Sequence, residues 1–366
     1  MTGKNEPNQN TTVNKSLTEK LKVLYNSQDT LPKLIEDKKI KAQSLDEYYV
    51  KLQILLNEDG ETGKAALRDK VAGEKKLVEI ENIFKAVDIE KKIKELLSKE
   101  SANKNDKDDS EKIKRIIDII NTEKEENNKI NLVHKELGKN NIEEIKDIIE
   151  SINRIQADIG KILLLGGAGV GKTTLLHNIS YKWGKGQLWN DKFDYVFRVK
   201  LKELLNESWS REYEPSELRQ DKVGCFVHYC LTHSAKFSKS EKIQLLKDIL
   251  SIEEKQKDKV LLLLDGYDEV AHLNMSNRND FQDIIDKVSE YKNVIMSSRP
   301  NAVVEEMSSQ FERKVESTGW DTEGIEKYIN KNFENDKDKE FGVQLKSFLA
   351  VNNQIKEIVK FLSIRH

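Results

Sequence analysis

Gly166-Gly167-Ala168-Gly169-Val170-Gly171-Lys172-Thr173 matches the pattern G-x-x-x-x-G-K-[ST], and its flanks decide the fold. An apolar run, Lys161-Ile-Leu-Leu-Leu165, leads in, and Thr173-Thr174-Leu-Leu-His-Asn-Ile-Ser-Tyr-Lys-Trp183 leads out with helical spacing. Strand, glycine-rich turn and helix form a phosphate cradle: the glycines let backbone N–H groups close on an anion, and the helix presents its positive end to it. The pattern assigns phosphate binding to Gly166 through Thr174, with Lys172 reaching the β- and γ-phosphates and the Thr173 hydroxyl on Mg²⁺.

Working downstream, Val260-Leu-Leu-Leu-Leu264 runs into Asp265-Gly266-Tyr267-Asp268-Glu269. An apolar strand ending in a carboxylate suits a Walker B element, because ligands of open α/β sheets gather at the carboxyl edge. Asp265 is thus expected to face the Mg²⁺ shared with Thr173. Asp268 and Glu269 lie where a carboxylate could orient or deprotonate the attacking water. Spacing does not separate these two; Asp268 is preferred and Glu269 is the alternative. Another run, Val294-Ile-Met-Ser-Ser-Arg299-Pro300, ends in an arginine that could meet the γ-phosphate. With Tyr195–Val199, four short strands alternate with helical segments such as Ile243 to Leu250. The expected fold is therefore α/β, a parallel sheet flanked by helices, of the P-loop branch with a strand inserted between the two motif strands.

Residues 1–15 are polar and read as a disordered tail. Residues 16–155 are expected to be an α-helical N-terminal region, with apolar steps Leu77-Ile80-Phe84-Val87 and Ile142-Ile145-Ile149-Ile152 and a linker over 101–110. Residues 156–318 form the nucleotide core, and 319–366 a partial helical domain with Ile325, Tyr328 and Ile329. No internal repeat is visible.

Composition narrows the function. The 366 residues carry 62 basic and 64 acidic side chains, a formal charge of −2, so a general polyanion binder is disfavoured. Charged residues make up 34%, which calls for extensive solvated helix surface. No apolar run approaches the roughly 20 residues of a membrane span, and the polar start is no signal peptide. Two cysteines exclude a disulfide scaffold and suit a reducing cytosol. Lysine outnumbers arginine 52 to 10, a skew that fits an AT-rich bacterial genome. Cys225, His228, Cys230 and His233 do not converge on one helical face, so a zinc site is disfavoured. Asn103-Lys104-Asn105-Asp106 matches the guanine-reading N-K-x-D but precedes the phosphate loop and lacks a strand. The transporter signature LSGGQ is absent.

Taken together, GGAGVGKTTLL, FDYVFRVKLKELL, LLLLDGYDE and NVIMSSRP, followed by STGWDTEGIEKYINKNF, resemble the NACHT domain of the STAND class of P-loop (ASCE) NTPases over about residues 155–335. The resemblance implies slow hydrolysis of ATP, with GTP as an alternative, coupled to conformational change and self-assembly; its cofactors would be ATP or ADP with Mg²⁺. In the bacterial branch it implies a role in defence or host interaction. Family members usually continue into a winged-helix domain and sensor repeats, whereas this sequence stops at His366. Two functions follow as expectations. The first is a cytoplasmic signalling switch that self-associates and engages a protein partner through its helical regions. The alternative is a nucleotide-holding scaffold without turnover, whose N-terminal helices bind the partner. Nucleic acid is not an expected partner.

Overall fold

The computed structural model describes residues 16–29, 44–45, 49–56, 77–86, 93–94, 96–97, 108–138, 141–156, 159–206, 209–271, 279–333 and 339–352. The expected tail 1–15, the stretch Asn103–Asp106 and the final residues up to His366 lie outside them. Two compact units are formed: residues 1–81 with 160–366, and residues 82–159.

The first unit is built on six strands, β1 (Gln53–Leu56), β2 (Lys161–Leu165), β3 (Tyr195–Lys200), β4 (Val260–Asp265), β5 (Asn293–Ser298) and β6 (Arg313–Gly319). Their order is β1-β6-β2-β5-β4-β3, and every pairing is parallel except β1 against β6. β2, β4 and β5 are buried almost continuously, as parallel strands covered on both faces must be. The strand inserted between β2 and β4 is β5. Parallel alignment brings the ends of β2, β4 and β5 to one edge of the sheet.

The helical region expected over 16–155 is divided. Among the described residues, α1 (Leu17–Asn26) and the helices beyond residue 92 keep the expected character. Residues 53–56 are a strand because Val50, Leu52, Ile54 and Leu56 alternate buried with more exposed neighbours, a period of two that suits a sheet edge. Leu77 bridges Leu55, and Ile80–Asn82 is a single 3₁₀ turn, so Leu77-Ile80-Phe84 is not one long helix. The Val78 N–H donates to the Ile54 carbonyl at 2.8 Å, satisfying backbone that a helix would have satisfied internally.

Helix α1 starts at Ser16, whose side chain accepts from Glu19 N while Glu19 caps back, and it packs over β3. The Tyr25 hydroxyl donates to Val196 O and accepts from Arg198 N, both at 3.0 Å. Lys20 pairs with Asp248 at 2.6 Å. Gln28, just beyond α1, accepts from Arg198 Nη2 at 2.6 Å, and its carbonyl meets His177 Nε2 at 3.0 Å.

His177 is only 8% exposed. Burial, with Arg198 and Lys200 nearby, pulls its pKa down to about 3, against weaker opposition from Gln28 and Asp29. A histidine held neutral in the fold is protonated earlier in the unfolded chain. Its stabilising contribution is complete above the unfolded pKa of about 6.5 and is lost as pH falls toward 3. Between pH 7 and pH 5 the unfolding free energy should therefore fall by about 2 kcal/mol through this residue. His177→Gln should flatten that slope in denaturant titrations; an unchanged slope would refute the assignment.

Among the described residues, the second unit includes α2 (Asp108–Thr122), α3 (Glu126–Leu137) and α4 (Ile142–Gln156), with further helical residues at 93–94 and 96–97. Ile113, Ile116, Ile120, Ile130, Val133, Ile145 and Ile152 form its core with Ile93. The expected linker over 101–110 ends earlier than its composition suggests, since 108–110 already belong to α2. Gly138 closes α3 at φ 67°, a left-handed cap that glycine adopts freely.

Downstream of β2 lie α5 (Lys172–Gly184), α6 (Pro215–Gln220), α7 (Lys222–Ser234), α8 (Lys239–Leu250), α9 (Tyr267–Val270), α10 (Asn279–Ser289), α11 (Glu305–Ser309), α12 (Thr322–Asn332) and α13 (Lys339–Val351). α12 and α13 belong to the same unit as the sheet rather than to a separate partial domain over 319–366. The junction is polar: Asp321 caps α12 by accepting from Gly324 N at 2.7 Å and also accepts from Gln53 Nε2 at 3.2 Å.

Candidate functional site

The loop from Gly166 to Gly171 joins β2 to α5 at the carboxyl edge of the sheet. Gly169 and Gly171 take φ values of 74° and 86°, the left-handed region that side chains resist. At Gly166 the constraint is space: a Cβ there would stand 2.6 Å from Val170 Cγ2 and 3.0 Å from Ser317 O. Val170 is buried, and its carbonyl accepts from Ser317 Oγ at 3.3 Å, so β6 supports the loop from behind. Gly167 and Ala168 are exposed at the rim, and Thr174 is half-buried on the first turn of α5.

Lys172 folds across this loop. Its Nζ donates to the carbonyls of Gly166 and Gly167 at 2.8 and 2.9 Å. Burial lowers its pKa, Arg299 acts in the same sense, and Asp268, Asp265 and Glu269 oppose them. The three acids and the arginine singled out in the sequence thus all act on the lysine.

Thr173 Oγ1 donates to Asp265 Oδ1 at 3.1 Å, joining the start of α5 to the end of β4. The same carboxylate oxygen accepts from Ser297 Oγ at 2.8 Å. Ser297 was not among the residues the sequence suggested. Its signal is the pair of serines that interrupts the apolar run of β5 just before Arg299.

Asp268 and Arg299 form a second pair. Asp268 Oδ1 accepts from Arg299 N at 3.2 Å, and Oδ2 lies 2.8 Å from Arg299 Nε. The acid side chain is 12% exposed and the guanidinium side chain 52%, so the pair closes on the acid and leaves the arginine facing outward. Glu269, by contrast, is exposed and lies against Gly266, where an added Cβ would sit 3.0 Å from its Oε1.

One hydroxyl and one carboxylate suit Mg²⁺, a hard cation that keeps several waters and substrate oxygens in its shell. Among the described residues no cluster of three or more His, Cys, Asp or Glu side chains is arranged to hold a metal by itself. The zinc alternative on α7 gives way to packing. Cys225 and Cys230 are buried, and burial raises both thiols, Cys225 to about 12. His228 meets Tyr213 and the Lys242 carbonyl, both at 2.8 Å.

A family model described as NACHT domain matches residues 161–336. The chain carries a NACHT domain. Its fold is that of a P-loop NTPase, as the sheet order and the loop require. Curated relatives of the NACHT domain include NACHT, LRR and PYD domains-containing protein 9 of Bos taurus, 37% identical over 67 residues, or 15% of this chain and 7% of that protein. The human NACHT, LRR and PYD domains-containing protein 10 is 29% identical over 109 residues, 30% of this chain and 13% of the relative. The human nucleotide-binding oligomerization domain-containing protein 2 is 24% identical over 200 residues, 51% of this chain and 17% of the relative. The chain thus spans less than a fifth of the length of these proteins. α5 also contributes Leu175, Asn178 and Lys182 to a cavity of about 250 Å³, shared with Tyr49, Leu52 and Ile54. No helix among the described residues is long and apolar enough to cross a membrane.

Proposed function

We propose that the chain is a nucleotide-operated switch that binds ATP with Mg²⁺ and hydrolyses it slowly. The observation that carries this reading is that Lys172 bonds the loop carbonyls, Thr173 meets Asp265 and Asp268 meets Arg299, all at the ends of the strands that form one sheet edge. The loop N–H groups and Lys172 hold the phosphates, while Thr173 and Asp265 hold the metal, which would neutralise phosphate charge. Glu269 orients the attacking water, because both oxygens of Asp268 are engaged by Arg299. Arg299, held by Asp268 and facing outward, answers to the γ-phosphate.

Coupling to assembly follows from the same geometry. A ligand that engages Arg299 competes with Asp268, so the two arrangements differ in their affinity for nucleoside triphosphate and diphosphate, and such a difference is what shifts a population. Self-association has further support in a relative whose name carries an oligomerization domain. A cytoplasmic setting and a protein partner at the helical regions complete the proposal.

The test is phosphate release from purified protein, measured with Mg²⁺-ATP and Mg²⁺-GTP on monomer and any oligomer separated by size. Release above the buffer rate, with a change in mass between the diphosphate and triphosphate forms, is expected. Tight binding without release would overturn the hydrolytic reading in favour of a scaffold. No binding would overturn both.

A further inference from the structure

Serine at a fully buried strand position costs free energy unless its hydroxyl is bonded. β5 carries two such residues, Ser297 and Ser298, both 0% exposed. Ser298 is satisfied locally, donating to the Arg299 carbonyl at 3.1 Å. Ser297 reaches out of its strand: its Oγ accepts from Gly266 N at 3.0 Å and donates to Asp265 Oδ1 at 2.8 Å.

The direction of these bonds is fixed by the partners. A backbone N–H can only donate and an ionised carboxylate can only accept. The Gly266 N–H therefore takes a lone pair of the hydroxyl, and the single Ser297 proton goes to Asp265. Thr173 Oγ1 delivers its own proton to the same oxygen at 3.1 Å. Turning the Asp265 carboxylate would break two hydroxyl bonds at once, one from β5 and one from α5. Gly266 itself, at φ 82°, occupies a conformation that is strained for other residues, so the N–H that completes the relay is also held in place.

We infer that Ser297 is the positioning residue of the metal site, holding the Asp265 carboxylate in the orientation in which it and Thr173 take up Mg²⁺. The inference rests on the nucleotide reading given above. Partners of this kind, one step removed from the metal, typically change its affinity by about 10- to 100-fold when removed.

The experiment titrates Mg²⁺ into protein with a fluorescent ATP analogue, and repeats the nucleotide titration in chelator. Ser297→Ala should move the Mg²⁺ midpoint up by about tenfold or more, with nucleotide affinity in chelator unchanged within threefold. Ser297→Thr keeps the hydroxyl on a β-branched frame suited to a strand and should restore the wild-type midpoint. If the alanine variant is not recovered folded, Ser297→Cys, similar in size with a weak donor, takes its place and should also raise the midpoint. An unchanged midpoint in the alanine or cysteine variant overturns the inference, as does an equal loss of affinity in chelator, the mark of general damage. A wild-type protein that binds nucleotide with no Mg²⁺ dependence overturns the metal reading, and the inference falls with it; that result is distinguishable because it needs no variant.

Discussion

Lys172→Ala is expected to abolish nucleotide binding while leaving the fold intact. The ammonium lies over the loop, 2.8 and 2.9 Å from the carbonyls of Gly166 and Gly167, and is therefore already placed where phosphate oxygens must come. Charge-assisted hydrogen bonds to phosphate are worth about 1.5–3 kcal/mol each. Losing two of them weakens affinity by at least about a hundredfold. Stability should change little, because Lys172 is the first residue of α5 and alanine is a good helix former. Calorimetric titration with Mg²⁺-ATP beside a thermal melt reads both quantities. An undiminished affinity would remove the phosphate role of the loop.

Glu269→Gln is the second large effect. If Glu269 orients and deprotonates water, the amide should slow turnover by about 10²- to 10⁴-fold and leave nucleotide affinity within threefold. Asp268→Asn should behave differently. It weakens the Oδ2 ion pair with the Arg299 guanidinium, beside which Oδ1 accepts from the Arg299 backbone N–H, so its main effect belongs on discrimination between triphosphate and diphosphate rather than on the chemical step. Single-turnover phosphate release with both variants separates the roles, and equal loss of turnover in the two would refute the division. Spacing did not separate the two acids, and Asp268 was preferred as the water-handling one. Sequence distance could not show that Arg299, from the next strand, takes that carboxylate.

The strands β2, β4 and β5 were legible because parallel strands buried on both faces leave continuous apolar runs. The phosphate loop was legible because its glycines answer a local backbone requirement. What escaped reading was long-range. β1 is four residues long and finds its partner in β6, more than 250 residues further along the chain. Its alternation of Val50, Leu52, Ile54 and Leu56 was present, yet it was outweighed by a helical spacing that began at Leu77. Ser297 escaped because one hydroxyl in an apolar strand carries no periodic signal. The docking of α1 on Arg198 and His177 escaped because a half-buried arginine can only be recognised once Gln28 and Tyr25 stand beside it.

The pairing of β1 with β6 also sets an order of events during synthesis. The bundle of α2, α3 and α4 draws its core from neighbours between Ile93 and Ile152, contacts of the kind that form quickly. It can therefore be complete before β6 is made. Leu56, by contrast, must wait for Val315 to emerge before its backbone has a partner. β1 is thus held without β6 until the intervening chain has been made, with the helical bundle folding in the interval.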